Sequence, residues 1–391
     1  MKVIIAGAGI AGPVAAIALR NIGIAAEILE ARDVADSRSG LFLTLASNGN
    51  RVLDGLGLTA CIRARPHIPT PRITFLNAEG KQIGSVSNGS CTPNESITLM
   101  RHSLHDALSE AAEERGVVIQ RGIAVTGYRQ NGEGVTVLCN DGSKRHADLL
   151  IGADGIGSRV RGAMPGDGVR PAYSGIVNVG GIVPRSGLAA TEGEMRMVWG
   201  RQAFFGYAVG SNGDAWWFAN IGEPQEPARG DLAQDRDVWA DRLSALFAND
   251  LPLITGLIDS TSEIHAWPVH DLPHVPRWSD GRVVLIGDAA HATAPSSGQG
   301  ASLALEDAAF LAVCLRDIPD PGAALARFET MRRPRAERIV TEGRRRGAYK
   351  APRSWFSMRL RDALMPFVFR FLVTERSLAW IHDYRVPQRV T

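Results

Sequence analysis

Three separated stretches hold residue types whose spacing could do chemistry: Gly7, Gly9 and Gly12; Asp154-Gly155 with Ser158, Val160 and Arg161; and Gly287-Asp288 with His291. The first three glycines lie between an apolar β-type run at 3–6 and a helical pattern at 14–21. In that setting the first glycine allows a tight turn, the second lets backbone approach a pyrophosphate, and the third lets helix and strand pack closely. Unpaired N–H groups at the helix start attract the phosphate charge. A second apolar run at 24–29 ends in Glu30, where a carboxylate can accept hydrogen bonds from ribose hydroxyls. The chemistry implied is dinucleotide binding, with Ala11, Ala31 and Arg32 as backbone neighbours of the same turns.

The apolar run at 283–286 ends in Gly287-Asp288, which places a carboxylate at the carboxyl edge of a parallel sheet, within reach of a sugar or ribityl hydroxyl. Pro295-Ser296-Ser297-Gly298-Gln299-Gly300-Ala301 then leads into another helical pattern at 302–315. Such a helix start aims N–H groups and a positive dipole end at its guest. An isoalloxazine ring, anionic at its N1/O2 edge when reduced, suits that position. Taken alone, Asp154-Gly155 also reads as a tight turn after a strand, with Arg161 solvated. His291 beside Asp288 is of a type that could be catalytic, a role on which this reading does not rely.

The elements that must hold these residues need a chain of ordinary globular character. Its 391 residues, 45% hydrophobic and 21% charged, predict two or three domains with sizeable cores. Forty-three Lys and Arg against 41 Asp and Glu leave +2, which calls for no nucleic acid. Cys61, Cys91, Cys139 and Cys314 form neither a zinc pattern nor a disulfide framework and read as free thiols of a reducing cytoplasm. The apolar N-terminus reads as a folded first strand rather than a secretory signal, and no apolar run reaches membrane-spanning length.

Periodicity predicts a helix over 103–115, a strand over 117–120, and a hairpin of 135–139 with 146–151 across Asn140-Asp141-Gly142. Between about 171 and 268 the pattern becomes alternating and aromatic-rich, with strands at 194–199, 203–209, 215–221 and 263–269 and a helical segment at 232–249. Helical patterns fill the chain after Gly300, including 323–347 with Arg332-Arg333-Pro334-Arg335 and Arg344-Arg345-Arg346, basic runs interleaved with Glu329, Glu337 and Glu342. The segment 354–381, with Trp355, Phe356, Leu360, Leu364, Phe367, Phe371 and Leu372, reads as an amphipathic helix packing on the body. The expected domains are residues 1–170 with 270–350, an insert at 171–269, and a helical tail at 351–391.

These residues resemble the class A flavoprotein monooxygenases, the aromatic hydroxylases of the para-hydroxybenzoate hydroxylase type, over nearly the whole chain. The resemblance implies an α/β fold: a Rossmann-like FAD-binding domain, an inserted and mainly antiparallel β-sheet substrate domain, and C-terminal helices. Gly7, Gly9, Gly12 and Glu30 match the family's ADP-binding fingerprint, Asp154-Gly155 its Asp-Gly motif, and Gly287-Asp288 with Pro295, Gly298, Gln299 and Gly300 its second FAD motif. Arg101, Thr44 and Val125 fall at positions where relatives touch the cofactor. Pro13, where relatives have glycine, is compatible with an early helix position, and Ser302 stands where asparagine is common.

What the resemblance implies is FAD as cofactor, NADH or NADPH and O2 as co-substrates, a flavin C4a-hydroperoxide, and hydroxylation of an aromatic or polycyclic small molecule by a monomer or homodimer. The cofactor carries the chemistry, so no separate catalytic constellation is called for. A dehydrogenase, oxidase or halogenase on the same scaffold, or a non-catalytic FAD-binding protein, are the alternatives; no Trp-x-Trp-x-Ile-Pro signature is present. Met197, Arg201, Phe205, Tyr207, Trp216 and Trp217 are the candidate pocket residues of the inserted sheet. Because successive strand residues point to opposite faces, Trp216 and Trp217 cannot both face a ligand.

Overall fold

The strand Lys2–Ala6 is apolar on both faces and buried from Val3 to Ala6, as a strand covered on both sides must be. It lies parallel between Leu149–Gly152 and Ala25–Glu30. The computed structural model describes residues 1–33, 41–89, 94–166, 168–233, 235–348, 355–371 and 375–390. Across the sheet the order is Ser279–Asp280, Val283–Leu285, Leu149–Gly152, Lys2–Ala6, Ala25–Glu30 and Val118–Arg121. Leu150 pairs with Val283 and Val3 with Leu149, so chain segments more than a hundred residues apart supply adjacent strands of this sheet. The helices Ala11–Asn21 and Gly300–Asp317 pack on each other against this sheet, burying Val14, Ile17, Leu303 and Leu311.

The expected hairpin forms with Val135 opposite Ala147 and Leu138 opposite Lys144. The run at 146–151 is two strands rather than one. At Asp148, which exchanges hydrogen bonds with Lys2, the chain leaves the hairpin and joins the central sheet.

A second, seven-stranded sheet runs in the order His265–Asp271, Ala172–Val183, Ala215–Gly222, Phe204–Val209, Glu194–Trp199, Arg72–Asn77 and Gln82–Ser87. Sequence alternation places this sheet wholly within 171–269, but two of its strands come from residues 72–87. Their attachment is a parallel pairing of Arg72–Asn77 with Glu194–Trp199, a contact between distant segments that leaves no local pattern. The helical segment predicted at 232–249 divides into Arg229–Leu232 and Arg236–Phe247, and a further helix, Pro252–Asp259, follows. The last two cover one face of the sheet with Trp239, Leu243, Phe247, Ile254 and Leu257. The opposite face looks toward a small sheet of Phe42–Leu45, Ile97–Met100 and His67–Pro69.

The helix Trp355–Phe371 lies against Gln82–Ser87. Phe369 stacks on Phe75, ring centroids 4.8 Å apart, over Gly84, where any added Cβ would fall 2.0 Å from the ring. Leu360, Leu364 and Phe367 are exposed. Among the described residues no helix is long and apolar enough to cross a membrane. Cys91, Ser354 and Leu372 and the side chains of Trp355, Phe356 and Phe371 lie outside the described residues.

Candidate cofactor and substrate site

The strand Lys2–Ala6 ends in a turn that only small residues permit. Gly7 has φ +98°, and a Cβ there would lie 2.5 Å from the Ala153 carbonyl oxygen; on Gly12 it would lie 2.0 Å from that of Gly7. A Cβ on Gly9 would meet nothing within 4 Å, because Gly9 opens on a cleft of about 1670 Å³. The helix Ala11–Asn21 has no side-chain cap and no acidic residue in its first turn, which leaves its N–H groups for an anion. Glu30, Ala31, Arg32, Arg101, Val125 and Asp154 line the same cleft. The Glu30 carboxylate accepts from the N–H groups of Ala8 at 2.6 Å and Arg32 at 3.0 Å, tying the two strand ends together. Ala11 faces away from the cleft, against Gly287.

The Asp-Gly stretch is built from inside. Asp154 accepts from Ser158 Oγ at 2.5 Å, Arg159 N–H at 2.8 Å and Val160 N–H at 3.1 Å. Ser158 caps the short helix Arg159–Gly162 by accepting from Arg161 N–H. Arg161 is buried rather than solvated: its guanidinium donates to the carbonyls of Ala289 at 2.8 Å and Ile156 at 2.7 Å. It thereby clamps the second motif to the third.

In the third motif Gly287, φ +58°, is wedged between Ala11 and Ala304, and Asp288 opens the helix Asp288–His291. Unlike Glu30 and Asp154, the Asp288 carboxylate has no hydrogen-bond partner among the described residues. The turn Pro295–Ser297 leads through Gly298, with left-handed backbone, into the uncapped helix Gly300–Asp317, where Ala301 is half-buried. The Gln299 side chain is buried and accepts from Asn48 Nδ2 at 2.9 Å. Only its backbone can meet a ligand. Thr44 is likewise committed, its hydroxyl 3.1 Å from that of Thr98. Ser302 accepts from the Ala46 N–H at 3.1 Å and fixes the end of Phe42–Leu45 against the helix start.

The inserted sheet sorts the aromatic candidates by face. Trp216 and Met197 lie on the side of Phe42 and Met100, with Trp216 and Phe42 centroids 5.7 Å apart. Phe205, Tyr207 and Trp217 point the other way, into the core under the helices Arg236–Phe247 and Pro252–Asp259. Trp217 stacks on Phe205 at 5.4 Å, and its Nε1–H donates to Thr261 Oγ1 at 2.8 Å. These three are core, not pocket. Arg201 is also displaced from the role expected of it, held on a loop by Asp250, Asn249 and Glu79. Phe42, Met100, Ile182 and Phe218 complete the apolar wall and were missed in the sequence, because nothing local marks which face a strand residue takes.

The family model of the FAD binding domain matches residues 1–343. The chain is 34% identical over 378 residues to the aurachin C monooxygenase/isomerase of Stigmatella aurantiaca, spanning 93% of this chain and 94% of that protein. It is 31% identical over 398 residues to the 3-amino-4-hydroxybenzoate 2-monooxygenase PtnB3 of Streptomyces platensis, spanning 98% and 96%. Among solved structures, Klebsiella pneumoniae HpxO complexed with FAD and uric acid superposes with a TM-score of 0.81 at 28% identity, over 94% of this chain and 93% of that one. The chain belongs to the class A FAD-dependent aromatic monooxygenases.

In this monooxygenase the residues fit FAD: an open glycine beside an uncapped helix for the pyrophosphate, Glu30 at the ribose position, and an unengaged Asp288 for a ribityl hydroxyl. Behind the Gly287-Asp288 turn runs a buried ion network. Asp307 takes Gly287 N–H at 2.9 Å, His291 Nε2 at 2.5 Å and Arg332 Nε at 2.8 Å. Glu306 forms an ion pair with Arg332 at 2.8 Å and accepts from Arg335 at 2.9 Å and Asn48 Nδ2 at 2.7 Å. Burial would raise the Asp307 pKa, but the His291 and Arg332 charges outweigh it and hold the carboxyl at about 2. His291 is 2% exposed, with Nε2 against Asp307 Oδ2. Part of the basic run at 332–335 is accordingly interior rather than a solvated face.

Proposed function

We propose that this FAD-dependent monooxygenase uses NADH or NADPH and O2 to hydroxylate a planar aromatic or polycyclic small molecule. Bound FAD would supply electron transfer from the reduced nicotinamide to O2 and delivery of one oxygen atom to the substrate ring. The chain's own residues bind and orient. Gly9 and the first turn of Ala11–Asn21 take the pyrophosphate, Glu30 the ribose, and Asp288 the ribityl chain. Backbone N–H groups at 298–301 would meet the N1/O2 edge of the ring, where negative charge develops on reduction. Phe42, Met100, Met197, Trp216 and Phe218 exclude water from the reacting face and favour a flat, apolar guest.

The observation that carries this reading is the cleft itself, which runs from Gly9 and Glu30 to Met100 and Ile182 on the apolar wall. The relatives named for action on aurachin C and 3-amino-4-hydroxybenzoate support the substrate class. Free thiols at Cys61, Cys139 and Cys314 support a reducing compartment, the cytoplasm. The test is to supply purified yellow protein with NADH or NADPH and a panel of bicyclic aromatics. Ligand-dependent nicotinamide and O2 consumption with a monohydroxylated product is expected. Retained FAD with no nicotinamide oxidation under any ligand would overturn it.

A further inference from the structure

Across the middle of the wall facing the flavin side, four strands bring one row of side chains into register: Phe204, Asn220, Asn178 and Trp267. Neighbours Val177, Val179, Ala219, Ile221 and Phe205 all belong to the core under the helices, so alternation turns this row to the opposite face. The row beside it is Gly206, Phe218, Gly180 and His265. Position along the strand Ala172–Val183 locates the row against the cofactor motifs. A Cβ on Gly180 would meet Leu41 at 2.6 Å, and Leu41 lines the cleft. On the other side, Gly347 is flanked by both Ile176 and Ser296, the latter in the turn Pro295–Ser297. Asn178, between Ile176 and Gly180, therefore faces the gap between Leu41 and the flavin motif.

Two carboxamides on an otherwise apolar wall are costly unless used. Asn178 and Asn220 are each 6% exposed, and Asn220 Nδ2 donates to Asn178 Oδ1. The Nδ2 of Asn178 has no partner among the described residues. No charged residue shares the row, and His265 in the next row is exposed beside Glu263.

Resting on the monooxygenase reading, the geometry points to Asn178, supported by Asn220, as the substrate-positioning element. It receives a neutral ring carbonyl or hydroxyl, as in a cyclic amide, rather than a carboxylate, which would lack a cation here. Phe204 and Trp267 bound the row and sandwich the edge of a flat ring.

The holoenzyme is titrated with 2-quinolone, naphthalene and 2-naphthoate, three bicyclic probes of similar size, while the absorbance of bound FAD is followed. The expected result is that 2-quinolone binds about tenfold more tightly than the other two, the scale set by one buried hydrogen bond. Asn178→Leu and Asn178→Ala abolish that preference and leave naphthalene affinity within about twofold, whereas a merely structural loss would weaken all probes together. Equal affinities, a preference for 2-naphthoate, no spectral response to 2-quinolone, or a preference surviving in both variants would each overturn the assignment. The measurement needs no turnover, so a yellow protein that selects 2-quinolone yet never hydroxylates would defeat the functional reading alone.

Discussion

Asp307 Oδ2 accepts the backbone N–H of Gly287 at 2.9 Å, so a carboxylate from the middle of one helix holds the strand-end turn that carries Asp288. Its Oδ1 simultaneously neutralises the wholly buried Arg332. Asp307→Ala removes both and leaves a buried guanidinium partly uncompensated. A loss of roughly 3–5 kcal/mol in urea unfolding is expected, together with reduced flavin content after purification. A loss below about 1 kcal/mol with full flavin content would contradict the role.

The glycines at 9 and 12 separate cofactor binding from folding. Gly12→Ala sets a methyl 2.0 Å from the Gly7 carbonyl oxygen and should abolish the turn, giving misfolded protein. Gly9→Ala meets no atom of the described residues within 4 Å. Its apoprotein should melt like the wild type while the FAD dissociation constant rises roughly tenfold, about 1.4 kcal/mol. Fluorescence titration of apoprotein with FAD checks this, and unaltered affinity would remove Gly9 from the pyrophosphate site.

Adjacent tryptophans should fail differently. Trp217→Ala empties a buried space between Phe205 and Thr261 and should cost roughly 3–5 kcal/mol of stability. Trp216→Leu, on the opposite face against Phe42, should cost less, on the order of 1–2 kcal/mol, and should change the affinity for aromatic ligands. Parallel melting curves and ligand titrations of the two variants decide it; equal effects on ligand binding would mean that the faces are wrongly assigned.

His382 gives the fold an acid limit. Its carbonyl is held by Ser47 Oγ at 3.0 Å and by Arg51, and its Nδ1 is buried without a partner among the described residues. Burial, reinforced by Arg346, Arg51 and Arg335 against the opposing Asp383, lowers its pKa to about 4. The folded value lies below the unfolded one, near 6.5, so the unfolded chain binds the proton first. Stability is full above about pH 6.5 and falls as pH drops toward 4, by on the order of 3 kcal/mol. His382→Gln should flatten that slope in unfolding curves at pH 7, 6, 5 and 4; an unchanged slope would assign the acid sensitivity to another group.

Much of the cofactor site was legible because it is made of local events. Gly7, Gly9 and Gly12, the acid Glu30, and the pair Gly287-Asp288 before a helix start are fixed by backbone sterics within a few residues, and spacing encodes these directly. Spacing does not show where side chains bond: those of Gln299, Thr44 and Arg161 reach Asn48, Thr98 and Ala289. Those partners come from other parts of the chain.

By itself the sequence determined that a dinucleotide cradle and a flavin motif belong to one discontinuous α/β unit, and that Trp216 and Trp217 must part company. Only the tertiary structure decided which tryptophan took the wall and which the core, attached the strands at 72–87 to the second sheet, and aligned Asn178 with Asn220. Strand alternation fixes relative faces, but it carries no information about which face the helices will cover; that depends on long-range register and on where the largest apolar area can be buried.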